Sequence, residues 1–154
     1  MEVMTLTQAN AEQIVQWHYP AEYAFYDTDA DPDDCAELLS PSRRANRFYQ
    51  VIEDNHLLGY FCTENTAQTG VIEIGLGLAP DWTGKGYGLS FVRLLVAHVI
   101  EVEHPRKLLM NVAQFNRRAQ KVYQRSGFEI VKTYEQVDDM GKRYPFVWMA
   151  KTID

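Results

Sequence analysis

One stretch, residues 76–99 (LGLAPDWTGKGYGLSFVRLLVAHV), limits what this chain can fold into. Val71, Ile72, Glu73 and Ile74 lead into it with residues suited to a strand. Pro80 has no N–H to give a sheet, so the strand ends near Ala79. Gly84, Gly86 and Gly88 alternate through the next turn, where they let the backbone bend tightly and a ligand come close. Residues 89–100 follow as a mostly apolar run without proline or glycine, which reads as a largely buried helix. A strand, a glycine turn and a helix in succession put several N–H groups at a helix start, beside room for a ligand. Such a place suits an anion, and phosphate best. A tight turn under a close-packed helix is the alternative that binds nothing.

The remaining elements follow from local signals. Residues 4–6 predict a short strand. Asn10 predicts an N-cap for a helix over residues 11–17 that stops before Pro20. Asp31 and Pro32 open a second helix over residues 31–39, and residues 40–45 read as loop. Residues 47–53 and 56–64 are strands joined by a tight hairpin at Asp54 and Asn55. Further strands are expected over residues 71–78, 107–112, 128–136 and 143–151. A helix over residues 116–125 is capped by Asn116 and stopped by Gly127. Early helices, an antiparallel meander, one strand–helix–strand unit and a final helix and hairpin make an α+β chain with a mixed sheet. With 154 residues, no internal repeat and no low-complexity linker, residues 1–154 read as a single domain with a real core.

Composition removes several function classes. The formal charge of −6 argues against a nucleic-acid partner, which needs a basic face. No apolar run is long enough to span a membrane, and the first residues lack the basic and apolar regions of a signal peptide. Cys35 and Cys62 belong to no CxxC or Cys/His cluster, so no metal is expected, and two reduced thiols fit a cytoplasmic chain.

The anion turn has the wrong spacing for the two common nucleotide loops. G-x-G-x-G is neither the dinucleotide fingerprint G-x-G-x-x-G nor the P-loop G-x-x-x-x-G-K-[ST]. Residues 83–88 resemble instead the pyrophosphate loop of the GNAT acetyltransferases, [QR]-x-x-G-x-[GA], through Gly86 and Gly88. Thr83 stands where that family usually has Gln or Arg. A second block, residues 111–128 (NVAQFNRRAQKVYQRSGF), resembles the family's N-x-x-A-x-x-x-Y-x-x-x-G-F segment. Asn116, Ala119, Tyr123, Gly127 and Phe128 fill its places. The order of elements from about Arg47 onward is also that of the family.

This resemblance implies a GNAT-like fold, acetyl-coenzyme A as donor and an amine as acceptor. It implies that Thr83, Gly84, Lys85, Gly86, Tyr87, Gly88 and Leu89 hold the pyrophosphate. The backbone of Leu76, Gly77 and Leu78 would take the pantetheine arm, with Asn116 bonding to it. Gly75 and Gly77 are otherwise odd in a strand, and close approach of a backbone or ligand explains them. Tyr123 is implied as the acid that protonates the leaving thiolate; a packed core tyrosine is the alternative. For the base that takes the proton of the ammonium, Glu73 is the sole carboxylate on the central strand, with Glu22, Asp27 and His18 as rivals. Arg117, Arg118, Lys121 and Arg125 form a basic group in an acidic chain, suited to solvent or to phosphates. The acceptor site is expected in the N-terminal part, where Trp17, Tyr19, Tyr23, Phe25 and Tyr26 can wall a cation pocket and Asp27 or Glu22 can pair with the cation. Core packing is the alternative for each of these aromatics. A coenzyme A sensor with little turnover and a domain whose loop binds nothing are the rival functions. The acceptor's identity and the oligomeric state are not legible, and a homodimer stays open.

Overall fold

The computed structural model describes residues 1–154. Its strands are β1 (Glu2–Thr5), β2 (Phe48–Glu53), β3 (His56–Asn65), β4 (Val71–Leu78), β5 (Lys107–Ala113), β6 (Glu129–Val137) and β7 (Arg143–Thr152). The α-helices are α1 (Gln8–Ile14), α2 (Pro32–Leu39), α3 (Pro41–Arg44), α4 (Gly88–Glu103) and α5 (Arg117–Arg125), and 3-10 turns cover Ala21–Tyr26, Thr28–Ala30 and Pro80–Trp82. The sheet has seven strands in the order β1-β2-β3-β4-β5-β7-β6. β4 and β5 run parallel across the α4 crossover, whereas β1 with β2, β2 with β3, β5 with β7 and β6 with β7 are antiparallel. The α+β class with a mixed, mostly antiparallel sheet is therefore the one observed. No helix is long and apolar enough to cross a membrane.

The chain gathers into two compact units, residues 1–62 with 76–87, and residues 63–75 with 88–154. In the first, Leu6, Ala11, Ile14, Trp17, Leu38, Leu57 and Ala79 form a buried cluster, and Phe48, Ile52, Tyr60 and Trp82 pack against it. Helix α1 starts earlier than the sequence suggests. Thr7, not Asn10, is its N-cap, with the Thr7 hydroxyl accepting the Asn10 N–H at 3.2 Å. The Asn10 amide is drawn away by the buried Gln50, donating to its Oε1 at 2.8 Å. That tertiary bond outcompetes the local cap, and the helix closes at Ile14, not Trp17. The second helix behaves as read, with Asp31 as cap and Pro32 first inside. Residues 40–45 are not all loop. Ser40 caps the short α3 by accepting the Arg43 N–H, and Pro41 fits its first turn because an N–H there has no helical partner.

In the second unit α4 buries Phe91, Val92, Leu95, Val96 and Val99, and β5 buries Leu108, Met110 and Val112 on alternate positions. Helix α4 runs to Glu103, three residues beyond the apolar stretch, until His104 turns left-handed at φ 48°. Helix α5 follows its Asn116 cap, and Gly127 at φ 99° leads the chain out of it. The last hairpin then folds back so that β7, the final strand, lies between β5 and β6.

Candidate active site

The glycine turn has the geometry its composition suggests. Gly84 lies at φ 71° and Gly86 at φ 87°, where a residue with a Cβ is strained. Nothing stands within 4 Å of the place a Cβ would take on Gly86, so one side of the turn is open. Helix α4 begins two residues later, at Gly88. A Cβ on Gly88 would sit 3.5 Å from Val122, ordinary contact, so this third glycine is not demanded by crowding. The turn is braced from within its own unit. The Tyr87 ring meets Trp82 edge to face at 4.9 Å, and Trp82 packs on the buried cluster. Thr83 donates its hydroxyl to the Pro80 carbonyl at 2.8 Å, so this side chain serves the turn itself. Lys85 is exposed and lines a cleft of about 310 Å³ with His56, Asp81 and Trp82.

The strand before the turn also has two regimes. β4 is in register with β5 at Val71, Ile72 and Glu73, opposite Lys107, Leu108 and Leu109, and then continues to Leu78. At its far end Ala79 donates its N–H to Leu58 of β3 at 2.8 Å. A trans peptide points its N–H and C=O in opposite directions, so the Leu78 carbonyl faces away from β3. The close approach expected at Gly77 is made by a side chain. A Cβ there would lie 2.6 Å from Cε1 of Tyr60. Glu73 is half-buried, and burial in the first place, then the charge of Glu64, raise its pKa above the ordinary carboxylate value. A carboxylate raised in this way is a better proton acceptor at neutral pH than an exposed one.

On α5, Asn116 Oδ1 accepts the Ala119 N–H at 3.1 Å, which is the cap. Tyr123 is buried, with 8% of its surface exposed, and tilts against Phe128 at 6.3 Å. Gln120, unremarked in the sequence, is buried between these two positions on the same helical face. Its amide donates to the Gln114 carbonyl at 2.9 Å and so fastens α5 to the chain leaving β5. The i, i+4, i+7 spacing of Asn116, Gln120 and Tyr123 was the signal for it. Arg117, Arg118, Lys121 and Arg125 are all exposed.

The N-terminal aromatics divide. Trp17 is a core residue, 8% exposed, 6.1 Å from the Tyr60 ring. Together with His18, Gln13, Leu57, Pro80 and Trp82 it lines a cleft of about 350 Å³. Tyr23 and Tyr26 are partly buried and Phe25 is exposed, on the 3-10 turn, where the Phe25 and Tyr26 rings meet edge to face at 5.4 Å. Glu22 is exposed on the same turn. Asp27 holds this segment closed. Its Oδ1 accepts the Tyr19 N–H at 2.8 Å and its Oδ2 lies 3.0 Å from His18 Nδ1. The Tyr19 hydroxyl donates to the Leu78 carbonyl at 2.7 Å. His18, Asp27 and Asp29 converge, yet Asp27 already serves two protein partners.

Comparison with known proteins bears on this arrangement. A family model described as the acetyltransferase (GNAT) domain matches residues 2–129. Among solved structures the chain is similar to a spermidine N-acetyltransferase SpeG chimera from Vibrio cholerae and hSSAT, at 17% identity over 98% of this chain and 94% of that one, TM-score 0.78. It is similar to a ribosomal-protein-alanine N-acetyltransferase from Brucella melitensis, at 17% identity over 99% and 100%, TM-score 0.73. AAC(6')-Ib in complex with ribostamycin and coenzyme A is 24% identical over 97% and 92%, with a TM-score of 0.75. At such identities these likenesses are likenesses of fold. The family model, however, spans most of the sequence, both motif blocks included, and the chain belongs to the GNAT acetyltransferase family.

Proposed function

We propose that the protein is an N-acetyltransferase that moves the acetyl group of acetyl-coenzyme A to a primary amine by direct attack. The observation that carries this reading is the turn at Gly84 and Gly86. Both lie at positive φ, the space over Gly86 is open, and the chain runs straight into α4. Backbone N–H groups in such a turn suit a pyrophosphate, and the open space is what a bound phosphate needs. Structural neighbours named for spermidine, for ribosomal-protein alanine, and one solved with ribostamycin and coenzyme A, favour an amine acceptor and this donor.

In this reading residues 83–89 bind the pyrophosphate, mainly through backbone N–H, since the Thr83 side chain is engaged with Pro80. The backbone of Leu76, Gly77 and Leu78 runs beside the pantetheine arm, and a strand N–H polarises the thioester carbonyl. Glu73, directly or through water, takes a proton from the incoming ammonium. The amine nitrogen then attacks the carbonyl carbon, the C–S bond breaks, and the sulfur leaves with the electron pair. Tyr123 is assigned to give that thiolate a proton; the nitrogen sheds its second surplus proton to solvent as the amide forms, and solvent returns a proton to Tyr123 and takes the one held by Glu73. The amide and the free thiol of coenzyme A are the products. A panel of amines, from polyamines to aminoglycosides, amino acids and peptide N-termini, tests the reading through thiol release from acetyl-coenzyme A. Thiol release above the hydrolytic background with at least one amine is expected. Tight coenzyme A binding with no transfer to any of them would point to a sensor instead.

A further inference from the structure

One hydrogen bond joins the N-terminal aromatic segment to the end of β4, and two more close that segment on itself. Asp27 closes the segment at its neck, through the Tyr19 N–H at 2.8 Å and His18 Nδ1 at 3.0 Å. From that neck the Tyr19 side chain reaches a residue 59 positions further along the chain, and its hydroxyl meets the Leu78 carbonyl at 2.7 Å. The Tyr19 ring packs against the buried cluster of α1 and α2, which holds the hydroxyl in place. The carbonyl it meets points away from β3, because the N–H of the same peptide is bonded to Leu58. Burial first, and the charge of Asp27 second, raise the pKa of Tyr19 well above that of an ordinary phenol, so the hydroxyl keeps its proton at any working pH.

We propose that Tyr19 is a positioning residue for the acceptor amine: its hydroxyl ties residues 17–27 to the Leu78 carbonyl, and so sets where the acceptor meets the donor. The inference rests on the transferase reading above, in which Leu78 lies along the donor. Tyr19 thereby differs from the aromatics around it. Its polar end is spent on the strand, so it orients the segment that receives the amine and does not itself face the cation. A carbonyl has two lone pairs, so the tether and a hydrogen bond from the donor can share Leu78. Acyl transfer is sensitive to such a tether, because small misplacements of the nucleophile cost large factors in rate.

Tyr19→Phe removes the hydroxyl and keeps the ring, so the fold should survive, which a melting curve will check. The acceptor found in the amine panel and direct titration of acetyl-coenzyme A supply the readouts. The expected result is a fall of about tenfold in kcat/KM for the amine, from a lost hydrogen bond plus looser placement, with donor affinity within about twofold. A general loss of structure would weaken the donor in parallel and overturn the proposal. An unchanged kcat/KM in a wild type that does transfer acetyl overturns the tether and leaves the transferase reading standing. A wild type that binds coenzyme A and transfers to no amine overturns the reading itself. Should Tyr19→Phe melt early, the tether is probed from the segment side by Asp27→Ala, which removes both acceptor oxygens at the neck and keeps the Tyr19 hydroxyl. A fall in amine kcat/KM at constant donor affinity is again required, and its absence is again refutation.

Discussion

Gly77→Ala is the substitution whose cost the structure defines most closely. Gly77 is not among the glycines at positive φ, so alanine meets no backbone penalty there. The new methyl would lie 2.6 Å from Tyr60 Cε1 and 3.3 Å from Cδ1 and Cζ. Carbon atoms are comfortable at about 3.5–4.0 Å, so the ring or the strand must yield by on the order of 1 Å. Tyr60 cannot swing freely, because its ring lies against Trp17 in the buried cluster. Overpacking of this kind costs about 1–3 kcal/mol. For a chain of this length that lowers Tm by about 2–12 °C. Any part of the strain relieved by displacing β4 should also weaken coenzyme A, since the donor runs beside that backbone in the proposed mechanism. Calorimetric melting and isothermal titration give the two numbers. A double-mutant cycle isolates the cause: in a Tyr60→Ala background the added methyl meets no ring, and its cost should fall to about 0.5 kcal/mol or less. If Gly77→Ala melts with the wild type, or costs the same without the Tyr60 ring, the steric argument is wrong.

Other expectations concern the site directly. Gly86→Val forces a β-branched residue to φ 87° and fills the open side of the turn, so it should reduce coenzyme A affinity by more than about tenfold while the protein stays folded; calorimetric titration that finds native affinity would remove the pyrophosphate assignment. Glu73 has a folded pKa raised by burial and then by Glu64, so its contribution to stability is present at pH below the ordinary carboxylate value and is lost as pH rises through the raised one. As the base it works only when ionised, so kcat/KM for the amine should climb with pH through that same window. Glu73→Gln should lower the rate and erase that acidic limb, and a mutant with the native profile hands the role to water or another carboxylate. Tyr123→Phe should keep the ring contact with Phe128 and the affinity for acetyl-coenzyme A, yet lower kcat by about a hundredfold. Single-turnover rates within about twofold of the wild type would make Tyr123 a packing residue only.

Much of this protein was legible without coordinates because its signals are local. The glycine spacing at 84, 86 and 88, the apolar run after it and the Asn116 cap each follow from what a few consecutive residues can do with their backbones. The order of strands and helices, hence the α+β class, follows from the same periodicities. The resemblance to the family rests on the two blocks around Gly86 and Tyr123. What the sequence could not decide depends on partners far along the chain. Asn10 looks like a helix cap until Gln50, 40 residues away, claims its amide and leaves the cap to Thr7. Gly77 signals a close approach in the sequence, but only the fold shows that the Tyr60 ring lies on its Cβ side. Tyr19 stands among several aromatics in the sequence, and only the fold shows that its hydroxyl is bonded to Leu78. β7 follows β6 in sequence yet pairs with β5 as well, because strand order is set by which edge has unsatisfied N–H and C=O groups when the hairpin docks. Local backbone preferences are written residue by residue, whereas a side chain's task is settled only by what the fold brings within 3 Å of it.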